Sequence, residues 1–285
     1  VQAKKNKYDF KVQDYSVSKE TFQLEMHPDF EILVTSPQPN SEKLPAYYKS
    51  EDYISHTDSK RNLFEKVYHA IRSIALKRKL KLINSYSNSK KTLLDIGCGT
   101  GDFLQTAQKD NWIISGIEPN TEARKIANQK TNQSIYNTNA LQNFKSDSFD
   151  VITLWHVLEH LPDLQEQITL YESLLKASGT LIIAVPNFKS YDAEYYQNFW
   201  AAYDVPRHLW HFSENGMKQL MEKHGFKIVE TRPMIFDAYY VSLLSEKYKT
   251  GKMNLLKAIG IGFKSNWLAK RSGAYSSLIY IIKKM

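Results

Sequence analysis

The sequence has a single cysteine, Cys98, among 285 residues. One thiol excludes an internal disulfide and any zinc site built on paired cysteines, and nothing in the chain calls for an oxidising compartment. Long apolar runs are also missing. No stretch reaches the ~18 uninterrupted apolar residues of a membrane-spanning helix, and the first residues lack the apolar run of a signal peptide. A cytoplasmic protein is the expectation. Acidic residues are missing from two regions. From Lys247 to Met285 there are nine Lys/Arg and no Asp/Glu, and from Arg72 to Lys91 there are seven Lys/Arg and no acid. The first run alone accounts for the net charge of +8, because the rest of the chain holds 29 basic and 30 acidic residues. Such runs suit nucleic acid, an anionic lipid surface or an acidic substrate; solvated helix faces and a lysine-rich tail are the plainer reading. Internal repeats, low-complexity linkers and a basic–aromatic nucleic-acid module are absent too.

What is present suits a folded globule. With 42% hydrophobic and 13% aromatic residues, the chain can bury a full core, and one α/β domain with additions is expected. Residues 1–57 read as an accessory segment. Thr21–Met26 alternates with period two, Phe30–Val34 is a short apolar run, and His27-Pro28-Asp29 between them marks a hairpin. Ser36-Pro37-Gln38-Pro39-Asn40 breaks regular structure, and Tyr47, Tyr48 and Tyr53 follow in a polar setting, over a pocket or simply on the surface. A helix is predicted over 59–86. Strands then alternate with helices: strands at 92–96, 112–117, 134–136, 149–154 and 179–185, helices at 102–109, 120–130 and 163–176. This spacing predicts βαβ units and a mainly parallel sheet. A helix over 213–224, a strand over 226–231, a mostly helical insertion at about 238–270 and a final strand over 277–282 complete the domain 58–285.

The organising stretch is Leu93-Leu94-Asp95-Ile96-Gly97-Cys98-Gly99-Thr100-Gly101-Asp102-Phe103. An apolar strand ends in a glycine turn that opens a helix, an arrangement that brings backbone N–H groups to a ligand. The glycines follow a G-x-G-x-G pattern, where dinucleotide folds use G-x-G-x-x-G. Asp102 stands at the helix start, where its charge would oppose a docked diphosphate. Glu118, seventeen residues after Gly101, ends the second strand, and a carboxylate there accepts both hydroxyls of a ribose. A nucleoside without phosphate fits this set better than a dinucleotide does.

Three motifs in order, Leu93–Gly101, Ile117-Glu118-Pro119-Asn120 and Phe149–Leu161 with its Trp155-His156-Val157-Leu158-Glu159-His160, resemble the class I S-adenosylmethionine-dependent methyltransferases. The resemblance covers about residues 59–285. It implies a Rossmann-like seven-stranded sheet with strand seven antiparallel, helices on both faces and the small N-terminal β extension outside it. It implies that Asp95 and the loop Gly97, Cys98, Gly99 and Gly101 take the methionine end of S-adenosyl-L-methionine. Glu118, followed by Pro119, would take the ribose, Asn139 and Ala140 would flank the adenine, and Trp155 and His156 would line the methyl-donor side. S-adenosyl-L-homocysteine would be the product.

Methyl transfer needs a positioned nucleophile, and a base only when the acceptor must lose a proton. His156, Glu159 and His160, at i, i+3 and i+4, would share one helical face and are the catalytic candidates. The cluster resembles the Glu-x-x-Glu-His pattern of ubiquinone-pathway O-methyltransferases and of small-RNA 3′-end methyltransferases, both associated with a bound metal. Here His156 replaces the first glutamate, and His208 is the candidate fourth member. A metal at His156, Glu159, His160 and His208, a metal-free catalytic histidine and a structural role are the three readings. The aromatic segment 187–212 follows the fifth strand and predicts either an acceptor pocket or a small core of its own; Arg207 would hold an acceptor anion or pair with Asp204. The N-terminal segment resembles the zinc-ribbon-like hairpin of some related enzymes, without its cysteines. The expected partner is a small-molecule acceptor methylated on oxygen. RNA methylation, a non-catalytic cofactor-binding module and a membrane-surface role for 255–268 are the alternatives.

Overall fold

Parallel strands covered on both faces need apolar residues at every position, and the unbroken apolar runs of the sequence become the centre of such a sheet. The computed structural model describes residues 10–40, 42–48, 63–87 and 91–285. Its main sheet has seven strands in the order β10-β11-β8-β7-β4-β5-β6. These are β4 (Thr92–Ile96), β5 (Ile113–Ile117), β6 (Ile135–Tyr136), β7 (Phe149–Trp155), β8 (Leu175–Pro186), β10 (Phe226–Pro233) and β11 (Ser277–Lys284). The pairs joining β6, β5, β4, β7 and β8 are parallel, and β11 runs antiparallel between β8 and β10. The chain moves from β4 outward through β5 and β6, then returns to β7 on the other side of β4. The order therefore reverses between β4 and β7, and a crevice opens at their carboxyl ends.

Neighbouring residues on each strand feed opposite cores. Leu93, Val151, Ile182 and Ile281 face α1 (Leu63–Ser85), α2 (Asp102–Lys109) and α3 (Thr121–Lys130) through Leu82, Ile83, Phe103, Leu104, Ala107 and Ala127. Leu94, Ile152, Ile183 and Ile282 face α4 (Leu164–Leu174) and α6 (Glu214–Lys223) through Ile168, Tyr171, Met217 and Leu220. Helix–strand alternation and the antiparallel last strand agree with the sequence-based expectation of a Rossmann-like sheet.

A second, four-stranded antiparallel sheet has the order β1-β2-β3-β9, from Phe10–Gln13, Thr21–Met26, Ile32–Ser36 and Trp210–Phe212. The predicted hairpin is β2–β3, paired from Gln23 with Ser36 to Met26 with Leu33. Strands β1 and β9 are too short to show a period. Through β9 the sheet includes residues from both sides of the predicted boundary near residue 57, which itself lies outside the described residues, as do Tyr53 and the first four residues of the helix predicted from 59. Aromatic residues of 187–212 fill the core beneath this sheet. Phe188, Tyr196, Trp200 and Tyr203 pack with Val12, Phe22, Leu24 and Leu33. Of the two readings of that segment, the small core is what those four rings form. Arg207 is likewise committed to protein: it donates to Asp14 at 3.0 Å and to Asp204 at 2.7 Å. The helices α5 (Tyr191–Tyr196), α7 (Asp237–Thr250) and α8 (Leu255–Ser272) border this side. Among the described residues, no helix is long and apolar enough to cross a membrane.

Candidate active site

The glycine turn between β4 and α2 is built by backbone conformation. Gly97 has φ +67°, and a Cβ there would lie 2.5 Å from a methyl of Val157, so only glycine lets the turn pass beside β7. Gly99 has φ +55°, and a Cβ there would meet nothing within 4 Å: the loop faces open space at that point. The Gly97 and Cys98 N–H groups both donate to the Ile117 carbonyl, which fixes the turn to the end of β5. Burial pushes the Cys98 thiol up, away from thiolate chemistry.

Glu118 follows directly on β5. Its Oε2 accepts from Gly99 N–H at 2.8 Å, and its Oε1 accepts from Asn120 N–H at 2.8 Å. Burial raises its pKa and those two bonds oppose the rise. The carboxylate is thus held in place beside the open face of the loop. Pro119 leads into α3, its carbonyl accepting from Arg124. Asn139 and Ala140 lie in a 3₁₀ segment, Thr138–Asn143, just after β6. Ala140 packs on the core, and Asn139 is exposed. Asp95, Gly97, Cys98, Gly99, Gly101, Glu118, Pro119, Asn139, Ala140, Trp155 and His156 therefore stand at or just beyond the carboxyl ends of four neighbouring parallel strands.

Asp95 is buried and accepts from Thr153 Oγ1 at 2.6 Å. Burial pushes its pKa up to about 7, against the pull of Thr153 and Lys79. Lys79 is a member of the site that sequence reasoning missed. It lies in the basic run of α1, where nothing distinguishes it from Lys77, Arg78 or Lys81. Its Nζ sits 4.4 Å from the centre of the Trp155 ring, a cation–π contact. Burial lowers its pKa to about 8, while Asp95 and Asp237 oppose the fall. The Trp155 indole N–H is buried without a partner. Asp102, by contrast, is not the bare negative charge that its position suggested. It pairs with Arg72 and, at 2.9 Å, with Lys130. The case against a diphosphate therefore rests on the glycine spacing.

The expected helical face of His156, Glu159 and His160 does not form. β7 ends at Trp155, the His156 N–H still bonds across to the Ala184 carbonyl, His156 takes φ +57°, and Leu158–His160 make a 3₁₀ turn. This sends the side chains two ways. His156 Nε2 lies 3.0 Å from Asp237 Oδ2, and Nδ1 lies 3.3 Å from Glu159 Oε1. Burial favours the neutral ring, but the two carboxylates outweigh it and hold His156 up to about 10. It is an imidazolium at neutral pH. Asp237, at the start of α7, is a second residue that only the fold reveals.

His160 turns toward His208, their rings 4.5 Å apart and edge to face. One ligand-type atom from each of Glu159, His160 and His208 lies within 4.8 Å of the others. His160 Nδ1 is 3.0 Å from the Arg207 carbonyl and 3.1 Å from the Tyr48 hydroxyl, and His208 Nδ1 is 2.9 Å from the Ala202 carbonyl. A carbonyl only accepts, so each Nδ1 carries a proton, and His208, where neutral, keeps the lone pair on its Nε2. Burial and His160 hold His208 well below its usual range, in the neutral form. Glu159 is almost fully buried, and neither of its oxygens has a hydrogen-bond partner. The structure thus gathers Glu159, His160 and His208 and leaves His156 on the Asp237 side.

A family model described as "Methyltransferase domain" matches residues 68–231, more than half of the chain. The chain belongs to this methyltransferase family. The methyltransferase is 29% identical over 168 residues to the ubiquinone biosynthesis O-methyltransferase of Coxiella burnetii (strain RSA 493), covering 52% of this chain and 72% of that protein. It is 32% identical over 108 residues to a protein of the same name from Actinobacillus pleuropneumoniae, covering 34% and 46%. Two solved structures share its fold. The SAM-dependent methyltransferase of Archaeoglobus fulgidus has a TM-score of 0.50 at 23% identity, over 80% of this chain and all of that one. The geranyl diphosphate C-methyltransferase of Streptomyces coelicolor has a TM-score of 0.54 at 12% identity, over 80% and 88%. The methyltransferase is an S-adenosylmethionine-dependent enzyme. Its loop and strand ends fit that cofactor: open space before Gly99, a fixed carboxylate at Glu118 and an unpartnered indole N–H at Trp155.

Proposed function

We propose that the enzyme methylates an oxygen of a small-molecule acceptor. The observation that carries this reading is the placement of His156 between the carboxylates of Asp237 and Glu159 at the end of β7. S-adenosylmethionine supplies a methyl group already activated by its positive sulfur, so the protein's part is alignment, exclusion of water and control of one proton. Glu118 would hold the ribose hydroxyls, and Lys79, beside Asp95 and Trp155, would pair with the carboxylate of the methionine half. Both N–H groups of the His156 imidazolium face the carboxylates of Asp237 and Glu159, so it would stabilise the acceptor's anionic form through its charge alone. That is an electrostatic role more than that of a general base, with the acceptor's proton passing to solvent. The names of the curated relatives, O-methyltransferases, support the choice of oxygen.

Glu159, His160 and His208 fit a divalent cation. The set supplies one carboxylate and two imidazoles whose Nδ1 atoms are held by backbone carbonyls, and neither Glu159 oxygen makes a hydrogen bond, although Oε1 lies 3.3 Å from His156 Nδ1. A bound cation would supply Lewis acidity that lowers the pKa of an acceptor hydroxyl. Elemental analysis of protein purified without added metal should find about one ion per chain, lost in His208→Ala, and no ion in either would remove the cation from the reading. The function itself is tested with isotope-labelled S-adenosylmethionine and a panel of hydroxylated and amino acceptors, each product located by mass spectrometry. Label on oxygen is expected. Label confined to amine nitrogen, or to RNA, overturns it.

A further inference from the structure

Helix α8 is amphipathic in an unusual sense. Its protein-facing side is made of small residues, Ala258, Gly262, Ser265 and Ala269, all buried. A Cβ at Gly262 would meet Tyr239 at 2.7 Å, so α7 and α8 approach closely through that side. The large apolar residues stand on the opposite side. Leu256, Ile259, Phe263 and Trp267 follow at steps of three, four and four, which places them in one stripe along the helix. They are exposed by 85%, 47%, 63% and 51%. Phe236 and Tyr240, at the start of α7, are exposed as well. Asn266 on α8 donates to the Ile235 carbonyl at 2.8 Å, which ties the two parts together. A folded protein does not ordinarily turn its small residues inward and its large apolar ones to water without a partner for them.

The charge around the stripe says what kind of partner. Lys257, Lys264, Lys270 and Arg271 are exposed on the same helix, and no acid occurs from residue 247 to 285. The other acid-free run reaches the same place, since the Arg78 guanidinium lies 5.4 Å over the Phe236 ring. Lys257 pairs with Glu246, which leaves Lys264, Lys270 and Arg271 as the flanking cations of a helix that carries no acid of its own. Apolar side chains long enough to enter acyl chains beside such cations match an anionic lipid interface. Nucleic acid would use the cations and leave the apolar stripe in water.

We propose that the exposed face of α8, with Phe236 and Tyr240, docks the enzyme on an anionic phospholipid surface. The patch adjoins the site, because Asp237, next to Phe236, holds His156. Docking does not depend on the nature of the acceptor or on the methyl-transfer reading.

The test is vesicle co-flotation of the full chain, with phosphatidylcholine alone and with phosphatidylcholine mixed with phosphatidylglycerol. Binding to the mixed vesicles should be about tenfold or more stronger, and should weaken in high salt. Leu256→Ser/Phe263→Ser and, separately, Lys264→Glu/Arg271→Glu should each weaken it about tenfold or more. Both double variants alter exposed positions, and an unchanged melting temperature confirms that they fold. Tryptophan emission should shift to the blue on adding mixed vesicles, and less so in Trp267→Phe. No flotation with mixed vesicles, or flotation unaffected by Leu256→Ser/Phe263→Ser, overturns the proposal. So does a dimer, seen by light scattering, that this variant dissolves while vesicles leave the wild type untouched. Retention on RNA without vesicle binding, abolished by Lys264→Glu/Arg271→Glu, would assign the surface to nucleic acid.

Discussion

In the proposed site, single side chains hold the cofactor's two ends, and each can be removed alone. Glu118→Ala deletes a charged acceptor for the ribose and frees the Gly99 N–H it holds. A hydrogen bond to a charged group is worth about 1.5–3 kcal/mol, so S-adenosylmethionine affinity should fall about tenfold to a hundredfold in calorimetry. Glu118→Gln, which keeps one acceptor oxygen, should lose less. Lys79 makes a sharper prediction because its proposed partner is one carboxylate. Lys79→Met should weaken S-adenosylhomocysteine binding about tenfold or more, yet leave methylthioadenosine, which lacks the carboxylate, nearly unchanged. The ammonium is the binding form, and burial places the pKa of Lys79 at about 8 in the free protein. Affinity for S-adenosylhomocysteine should therefore decline as pH rises through about 8, and the Lys79→Met variant should not show that decline. Equal losses for the two ligands would refute this role. The contrast between the residues also shows what a sequence reveals. The place of Glu118 beside the glycine loop was legible because the motif lies at a fixed distance before it. That of Lys79 was not, since it comes from the packing of α1 across Trp155, and charge alone does not separate it from its neighbours.

At the scale of elements, hydrophobic periodicity carried the main sheet. Strands β4, β5, β7 and β8 are rich in apolar residues that a doubly covered sheet accepts, most plainly Leu181–Val185, and they were readable for that reason. The Phe149–Leu161 motif was read correctly as far as the strand and wrongly beyond it. A spacing of three and four residues implies one helical face only if a helix exists, and His156 at positive φ followed by a 3₁₀ turn separates His156 from His160. The pairing of β3 with β9 was unreadable too, because β9 has three residues and its partner is about 180 residues away in sequence. What locks those elements is a buried ion pair. Asp14 accepts from the Ser16, Val17 and Ser18 N–H groups and from Arg207. Burial works against its ionisation, but Arg207 and the backbone donors prevail and hold Asp14 at about 2. Its folded pKa is below the unfolded value of 3.8, so the stabilisation is present in full above about 4 and fades as pH falls through about 2. Arg207→Ala should cost about 3 kcal/mol in urea denaturation, because it leaves a buried carboxylate unpaired. The stability difference between wild type and Asp14→Asn should shrink between pH 4 and pH 2. A constant difference across that window would show that the carboxylate's ionisation is not what it reports.

For the whole molecule, the question is whether the N-terminal sheet and the cofactor-binding sheet unfold as one unit. Three features couple them. β9 lies in both the chain of the methyltransferase domain and the small sheet, Phe30 and Ile32 reach the core that contains Leu94 and Ile152, and the Asp14–Arg207 pair joins their surfaces. Separating the pieces would expose Phe188, Trp200, Tyr203 and Phe212, which the structure buries, and each large apolar side chain so exposed costs about 1.5–3 kcal/mol. That cost opposes melting of the small sheet alone, so calorimetry should give one transition whose van 't Hoff and calorimetric enthalpies agree. Ligand linkage makes the same point independently. S-adenosylhomocysteine touches only the main sheet's loops and Lys79 of α1 in our proposal, yet at 100 times its Kd it should stabilise the entire transition by about 2.7 kcal/mol. A probe in the small sheet, such as the burial of Tyr47 near Phe22, should report the same shifted midpoint as one at the cofactor site. If the two sheets were separate cooperative units, the cofactor would move one midpoint and leave the other where it was.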